Sequence, residues 1–511
     1  MDSAAVYVAP VMLVGLLAIF VRFNRRRSHL PFPPGPRGLP LIGNALDIPP
    51  SHPWETFYDW GKKWGALTHL TLFGQHYLVI NSFDTAVKML DAKSTIYSDR
   101  PTFVVLGEMM GWKDGVAVGR YGERLRDLRR LLHQVMGTPA SVTKLTPVIE
   151  REVHRFLQRL LDAPPDQFTK NLRSAVNAAT FDFTYGYKVH GLDDPLIELT
   201  ELASKQFARA SMLGSFVVDI LPFLRHVPGW FPGTGWKRVG REWGANVRAL
   251  VDIPFEFVRD RRAAGVSAPS FTDENFSEGM TEHQEDLVKW AGNAITMGGT
   301  DTTVSTVTTF FLAMTVYPET QRKAQEELDA VVGTHRLPTI DDRDRLPYLN
   351  ALLKEVLRWG PATPLAGPHR VTRDDEQGGY LIPEGTTILV NVWGVMRDES
   401  VYSDPQIFNP ERFIASETKS AEADPRACFG FGRRVCPGVR VAEASLFLYF
   451  ATTLATYQIS KAVDESGAVL EPRVQYTSFL MSHPMPFPFT IKPRSEQAVA
   501  LIKSLPVEVG E

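Results

Sequence analysis

Residues 429–457 read FGFGRRVCPGVRVAEASLFLYFATTLATY and join a glycine-rich loop to a long apolar segment. The second half, residues 439–457, is long and apolar enough to form a buried helix. Pro437 suits the first helical position, where a missing N–H costs nothing, and this predicts Cys436 as the N-cap. Unpaired backbone N–H groups and the helix dipole favour a thiolate at that point. The stretch therefore indicates a metal-binding sulfur, with a buried cysteine in a tight turn as the alternative.

A second informative stretch is MGGTDTTVST at residues 297–306, within the proline-free run 282–316 that predicts a long helix. Two adjacent glycines each cost a helix about 1 kcal/mol relative to alanine, so a compensating role is expected. Gly298 lies one turn before Thr302, which leaves room beside the threonine hydroxyl and lets that hydroxyl donate to the Gly298 carbonyl. We predict a groove lined by this hydroxyl and the Asp301 carboxylate, unless the segment is an ordinary threonine-rich buried helix.

Both stretches resemble motifs of the cytochrome P450 superfamily. The cysteine loop matches Phe-x-x-Gly-x-Arg-x-Cys-x-Gly at residues 429–438, and residues 298–303 match Gly-Gly-x-Asp-Thr-Thr. The resemblance covers nearly the whole chain and implies haem b, with the Cys436 thiolate as the axial iron ligand. It also implies cofactor contacts from Phe429, Arg434 and Gly438.

The resemblance gives Asp301 and Thr302 a catalytic role. Activation of O₂ requires two protons to reach an iron-bound oxygen, so an acid and an alcohol must be placed where bulk water is excluded.

Three charged residues are expected to form a structural ion network behind the cysteine loop. Glu355 and Arg358 lie three apart on a predicted helix, and Arg412 follows in FNPERF. Taken alone, the first pair could equally be a solvated contact. The resemblance implies that all three interlock, and a buried charge set of this kind fails when one member is removed.

Haem propionates are anionic, and the resemblance assigns Arg129 and His369 to them together with the arginine of the loop. One departure from the family pattern concerns this contact. In the family, a tryptophan usually stands four residues before the arginine that corresponds to Arg129. Leu125 occupies that position here, and its side chain has no N–H to donate. His133 is either a replacement donor or a histidine on the helix surface.

The fold class expected from these patterns is mainly α with a small β part (α+β). Residues 150–161 and 319–332 show helical spacing, while 66–80 and 386–392 alternate like strands. We predict a single large P450-like haem domain after an N-terminal transmembrane helix. The proposed division is 4–21, a transmembrane anchor; 22–38, a basic and proline-rich hinge; and 39–511, the haem-thiolate catalytic domain.

Composition excludes several other classes. The chain has 511 residues, a formal charge of −3 and two cysteines. The charge balance gives no sign of nucleic-acid binding. Two cysteines cannot form a disulfide framework or supply four sulfur ligands to zinc or an iron–sulfur cluster. The catalytic domain therefore faces a reducing compartment.

The N-terminus predicts a single-pass membrane protein. Residues 4–21 are uncharged and apolar, and four arginines follow at 22 and 25–27. Positive charge on that side holds the catalytic domain in the cytosol, which favours the endoplasmic reticulum. The alternative is a cleaved signal peptide. With a retained anchor, the sequon at Asn275 is expected to stay unglycosylated.

The function expected from the resemblance is insertion of one oxygen atom of O₂ into a lipophilic small molecule such as a terpenoid, a steroid or an aromatic. Electrons would come from NADPH through a separate NADPH–cytochrome reductase. Four arginines near the cysteine loop are candidates for docking this partner, with solvated surface charges as the alternative: Arg126, Arg130, Arg433 and Arg440. Two alternatives remain. One is a haem-thiolate isomerase or dehydratase of hydroperoxides, which has no need of Asp301 and Thr302. The other is a non-enzymatic haem- or steroid-binding protein.

The substrate pocket is expected to be apolar. By analogy with the family, its wall comes from residues 103–118, 204–218, 365–367 and 477–479, together with the helix around Met297. The apolar candidates are Phe103, Val104, Val105, Leu106, Phe207, Met212, Leu213, Phe216 and Phe479.

Overall fold

A computed structural model describes residues 30–162 and 164–506 of the chain. The predicted anchor at 4–21, the first part of the predicted hinge and the last five residues lie outside the described residues. Within those two ranges, no helix combines the length and the hydrophobicity that crossing a bilayer requires.

Helices dominate the described chain, which confirms the predicted mainly α class. The helices of eight residues or more are α1 Pro53–Trp64, α2 Glu123–Met136, α3 Pro139–Asp162, α4 Phe168–Tyr185, α5 Pro195–Ala210, α6 Trp236–Ala263, α7 Glu282–Val316, α8 Pro318–Val331, α9 Pro347–Trp359, α10 Val439–Thr456 and α11 Glu496–Lys503. Shorter α-helices span Phe83–Ala86, Ser94–Tyr97, Val217–Ile220, Phe271–Asn275 and Val392–Val395. Short 3₁₀ or π segments include Val104–Met109 and Trp112–Asp114.

The β part is small, as predicted. Its strands are β1 Leu67–Leu72, β2 Gln75–Ile80, β3 His369–Arg370, β4 Asp375–Gln377, β5 Tyr380–Ile382, β6 Thr387–Val390, β7 Tyr457–Lys461 and β8 Phe489–Pro493. One sheet has the order β1-β2-β6-β3, in which β2 and β6 run parallel and the outer pairs antiparallel. Two antiparallel pairs, β4 with β5 and β7 with β8, lie apart from it.

The segment 265–282, which leads from α6 to α7, is only partly a loop. It contains the short helix Phe271–Asn275, because the Ser270 hydroxyl accepts from the Asp273 N–H and caps it. The end of the same segment starts α7 through a capping box, in which Thr281 and Gln284 exchange hydrogen bonds.

The core forms around α7 and α10, which are buried along most of their lengths. They pack against each other, and α7 also packs on α2 and α4. Phe310 of α7 stacks on Phe450 of α10 with ring centroids 4.1 Å apart. A helix that is apolar all round has to be enclosed in this way, since no face of it suits water. The two motifs thereby sit on neighbouring central elements.

The proline-rich segment is attached to the sheets in its described part, residues 30–38. The Pro34 carbonyl accepts from the His69 N–H of β1 at 2.9 Å, and the Pro31 carbonyl accepts from the Leu381 N–H of β5 at 2.8 Å. Prolines can serve here because only their carbonyls are used.

Candidate active site

A central cavity of about 440 Å³ lies between α7 and the cysteine loop. Seven of the residues proposed from the sequence line it together: Arg129, Thr302, His369, Phe429, Arg434, Cys436 and Gly438. They come from distant parts of the chain. The structure therefore brings the two motifs to opposite walls of a single space.

The cysteine loop is held closed by its own backbone. The Cys436 N–H donates to the Phe429 carbonyl at 2.7 Å. Gly432 has a φ of +53°, and a Cβ there would lie 2.1 Å from the Leu90 carbonyl oxygen, so only glycine fits. The loop therefore packs tightly on the chain that precedes it.

The predicted N-cap was wrong by two residues. Helix α10 begins at Val439 with Gly438 as its N-cap, because Pro437 and Gly438 form a turn instead of the first helical positions. Burial raises the pKa of the Cys436 thiol, while the Gly438 N–H and the nearby Arg129 charge act in the opposite direction. A metal cation bound to the sulfur would favour its thiolate form.

The α7 wall has the arrangement expected around Gly298. The Thr302 hydroxyl donates to the Gly298 carbonyl at 2.8 Å. A Cβ placed on Gly298 would meet nothing within 4 Å, so this glycine borders open space. Gly298 and Thr302 both line the central cavity.

The position predicted for Asp301 was wrong, since its carboxylate does not line the cavity. Successive helical residues point about 100° apart, and Asp301 lies on a different side of α7 from Thr302. It is 6% exposed and pairs with Arg173 of α4 at 2.8 Å and with the His483 ring at 3.1 Å. Burial alone would raise its pKa, but His483 and Arg173 lower the pKa of Asp301 to about 2.

Buried cations surround one side of the cavity. Arg434 donates to the carbonyls of Ser98, Val116 and Gly119 at 2.7–3.1 Å. Arg100 likewise donates only to carbonyls, those of Ala117, Gly367 and Pro368.

Their charges are not neutralised locally. Among the described residues, neither Arg100 nor Arg434 forms an ion pair with a carboxylate. Burial lowers the pKa of Arg100 to about 9 and that of Arg434 to about 10, in each case against the attraction of Asp99. Arg129 donates to the Val435 carbonyl at 3.0 Å and adds a third cation.

His369 completes this side of the cavity. Its Nδ1 donates to the Tyr97 carbonyl, 2.7 Å away, since a carbonyl can only accept. Burial and the nearby Arg100 lower the pKa of His369 to about 3. His133, the candidate replacement donor, is exposed and does not line the cavity.

The predicted ion network is assembled and buried. Arg358 donates to both carboxylate oxygens of Glu355, at 2.7 and 2.8 Å, and Arg412 donates to the same group at 3.2 Å. Glu422 joins them by accepting from Arg412 at 2.8 Å. We call these four residues the proximal charge cluster. Side chains of the first three are at most 2% exposed, so the initial alternative of a solvated pair is excluded.

The predicted apolar wall divides between two cavities. Phe103, Leu106 and Phe207 line the central cavity. Met212, Leu213 and Phe479 instead line an outer cavity of about 480 Å³, which adjoins the central one at Phe103. The remaining three candidates line neither cavity: Val104, Val105 and Phe216.

Comparison with known proteins agrees with this geometry. The cytochrome P450 family profile matches residues 33–482. The chain is 47% identical to cytochrome P450 monooxygenase 208 of Postia placenta, over 97% of each chain. It is 43% identical to cytochrome P450 monooxygenase claR of Ampulloclitocybe clavipes, over 96% of this chain and 91% of the relative. It is 34% identical to the tryptamine 4-monooxygenase of Psilocybe cyanescens, over 95% and 98%.

The chain therefore belongs to the cytochrome P450 family and is a monooxygenase of the oxidoreductase class. The family implies haem with iron and an axial cysteine thiolate. Neither alternative, the hydroperoxide isomerase or dehydratase and the non-enzymatic haem binder, is favoured by relatives that are named as monooxygenases.

The residues of the central cavity fit a haem. Buried guanidinium groups without carboxylate partners are costly, and the two propionates of haem b supply the missing negative charge. Arg100, Arg129 and Arg434 would hold those propionates, and Cys436 on the same cavity would bind the iron.

Four residues described above escaped prediction from the sequence: Arg100, Arg173, His483 and Glu422. Arg100 lines the cavity but lies in the sequence SDRP, residues 98–101, where nothing distinguishes it from a surface arginine. Arg173 and His483 meet Asp301 only after folding, because they lie far from it in the sequence. No spacing rule links such positions.

Proposed function

We propose that the protein inserts one oxygen atom of O₂ into a lipophilic small molecule, such as a terpenoid, a steroid or an aromatic. The observation that carries this proposal is the central cavity, which has Cys436 on one wall, Thr302 on another and apolar side chains between them. Haem bound at Cys436 supplies the activation of O₂. An apolar lining selects a lipophilic ligand by excluding water.

The protein's own contribution to the chemistry is to control protons. Thr302 presents its hydroxyl oxygen to the cavity while its proton is donated to the Gly298 carbonyl. Rotation about the Cβ–Oγ bond would turn that proton towards the cavity, where the hydroxyl can donate it. Asp301, one residue away, keeps its carboxylate charged beside His483 and Arg173 and can pass protons from the outside to this region.

Electrons are proposed to come from NADPH through a separate membrane-bound reductase. Four arginines around the cysteine loop support this docking role, because all of them are exposed: Arg126, Arg130, Arg433 and Arg440. Arg130 is partly neutralised by Asp127 at 2.8 Å. A positive face of this kind attracts an acidic partner and speeds its association at low salt.

We also propose a single-pass anchor at 4–21, a hinge at 22–38 and a catalytic domain at 39–511 that faces the cytosol from the endoplasmic reticulum. Exposed apolar side chains support contact with lipid near the outer cavity. Leu41 is 92% exposed and Trp230 is 82% exposed. The Gln75 side chain donates to the Ile220 carbonyl and so ties the sheet to the segment that precedes Trp230.

The test is reconstitution of the full chain with an NADPH-dependent diflavin reductase and ¹⁸O₂, using a panel of terpenoids, steroids and polycyclic aromatics. We expect one panel member to gain a single ¹⁸O atom, with NADPH consumed. Oxygenation that proceeds without O₂ or NADPH would overturn the proposal. Retention of the chain in the membrane fraction at alkaline pH tests the anchor separately.

A further inference from the structure

The Asp301 carboxylate lies between two basic side chains. Its Oδ1 is 2.8 Å from a guanidinium nitrogen of Arg173 on α4, and its Oδ2 is 3.1 Å from the Nε2 of His483. The side chain of Asp301 is 8% exposed, whereas those of Arg173 and His483 are each 20% exposed. Water therefore reaches the two partners more readily than it reaches the carboxylate between them.

The two partners differ in what they can do with a proton. A guanidinium group keeps its protons throughout the physiological pH range, whereas an imidazole takes up and releases a proton near neutral pH. Arg173 can therefore hold the carboxylate in place but cannot supply it with protons. Of these two side chains, only that of His483 can do both.

His483 is held in position by the turn that precedes it. Its N–H donates to the Thr477 hydroxyl at 2.9 Å, and its carbonyl accepts from the Thr477 N–H at 2.8 Å. The neighbouring Ser482 carbonyl accepts from the Ser305 hydroxyl of α7 at 2.5 Å. Ser305 lies one turn after Asp301 on the same face of α7, so this hydrogen bond fixes the turn beside the carboxylate.

We propose that His483 supplies the protons that Asp301 passes on during oxygenation. In this step the N–H bond at Nε2 breaks, the Oδ2 of Asp301 gains the proton, and the imidazolium becomes a neutral ring that water protonates again. The oxygen atom that is not inserted leaves as water and takes up two protons per turnover, so the donor has to be recharged from solvent. This inference rests on the proposed function, in which Asp301 passes protons towards the cavity.

His483 acts only through Asp301. It lines neither cavity, so it is a positioning residue and does not touch substrate or cofactor. The charged groups that the described structure places against its ring are Asp301 from α7 and, beyond that carboxylate, Arg173 from α4. The protonation state of the His483 ring should therefore control the rate of proton supply.

Two replacements of His483 separate charge from proton transfer. His483→Arg keeps a positive charge beside Asp301 but does not release a proton, and His483→Gln keeps a hydrogen-bonding side chain without the charge. The measurement is the rate of product formation by the reconstituted full chain between about pH 6 and about pH 9, with a panel member that the wild type oxygenates. We expect the wild type to slow as the pH rises. Both variants should be at least about tenfold slower at neutral pH and should lose this decline.

His335→Gln is the matched control for the pH profile. The His335 ring is exposed and contacts the Gln497 amide at 2.8 Å instead of a carboxylate. This variant should keep the rate and the pH profile of the wild type.

Chemical modification gives a readout that does not depend on turnover. Diethyl pyrocarbonate attacks the neutral imidazole, and mass spectrometry of the haem-loaded full chain locates the product. We expect His483 to react, because water reaches its ring, and to react several-fold faster in Asp301→Asn, which lacks the negative charge that favours the unreactive imidazolium. His335 should react equally fast in both proteins.

A His483→Arg variant that forms product as fast as the wild type would reduce His483 to a charge partner and overturn the inference. A wild-type pH profile in His483→Gln, or a His483 ring that does not react with the reagent, overturns it as well. Failure of the proposed function looks different: the wild type then oxygenates no panel member, while His483 still reacts and still responds to Asp301→Asn.

Discussion

Buried polar groups are satisfied by protein partners in the proximal charge cluster but not around the central cavity. In the proximal charge cluster, Glu355 receives three guanidinium hydrogen bonds and the arginines are satisfied by carbonyls or carboxylates. Around the cavity, Arg100 and Arg434 have no anionic partner among the described residues. The first region is complete without a ligand, which suits a rigid support. The second carries positive charge that haem propionates would neutralise.

The largest expected effect concerns Cys436. Cys436→Ser should abolish the far-red-shifted Soret band of the reduced carbon monoxide complex, because an alcohol does not replace the thiolate as ligand. The optical spectrum of purified protein is the measurement. Cys428→Ser is the matched control, since Cys428 lines the same cavity, and it should keep the band. A normal band in Cys436→Ser would exclude this residue as the ligand.

Glu355→Gln, in the proximal charge cluster, should have the next largest effect. It leaves Arg358 and Arg412 buried without their shared carboxylate, which costs about 3–5 kcal/mol. We expect a much lower Tm and little haem-loaded protein. Glu319→Gln removes an exposed partner of Arg322 and should leave both unchanged. Normal haem content in Glu355→Gln would show that the cluster is dispensable.

Thr302→Ala should uncouple electron use from oxygenation. NADPH oxidation continues, hydrogen peroxide accumulates, and product per NADPH falls at least about tenfold, as expected on losing a positioned proton donor. Thr308→Ala removes the same kind of hydroxyl-to-carbonyl bond on α7, away from the cavity, and should stay coupled. Unchanged coupling in Thr302→Ala would mean that another group delivers the protons.

Arg100→Met tests whether the unpaired cations belong to the cofactor. Loss of one charged contact to a propionate should speed haem transfer to apomyoglobin about tenfold. Arg120→Met, at an exposed arginine that pairs loosely with Asp99 at 3.9 Å, is the control. If Arg100→Met released haem no faster than the wild type, Arg100 would be no part of the cofactor site.

The smallest effect is expected at Asp219, which lines the outer cavity. Its carboxylate accepts from the N–H groups of Val104 and Val105 at 2.5 and 3.2 Å, and burial raises the pKa of Asp219 to about 6. A raised pKa stabilises the fold below about pH 4, and this contribution is lost as the pH rises through 6. Wild type should therefore lose about 1–2 kcal/mol relative to Asp219→Asn between pH 4 and 7, after allowance for partial exposure. Parallel Tm curves for the two proteins across that range would contradict the prediction.

Prediction from sequence succeeded where contacts are local. The limits of α7 follow from its proline-free run and its capping residues, and Gly298 and Thr302 are one turn apart in any helix. Prediction was less accurate at the start of α10, where Pro437 and Gly438 form a turn instead of the first helical positions. It also misplaced Asp301, because the direction of a side chain depends on which neighbours pack around the helix.

The sequence by itself determined the family, the two motifs, the mainly helical class and three of the four residues of the proximal charge cluster. The motifs and the Glu355–Arg358 pair depend on residue type at fixed spacing, which secondary structure converts directly into geometry, whereas Arg412 followed from the resemblance to the family. Only the tertiary structure decided that Arg100 joins the cavity, that Asp301 turns towards Arg173 and His483, and that Glu422 joins the charge cluster. Those contacts join residues far apart in sequence, and their energies come from burial and charge that exist only once the chain has packed.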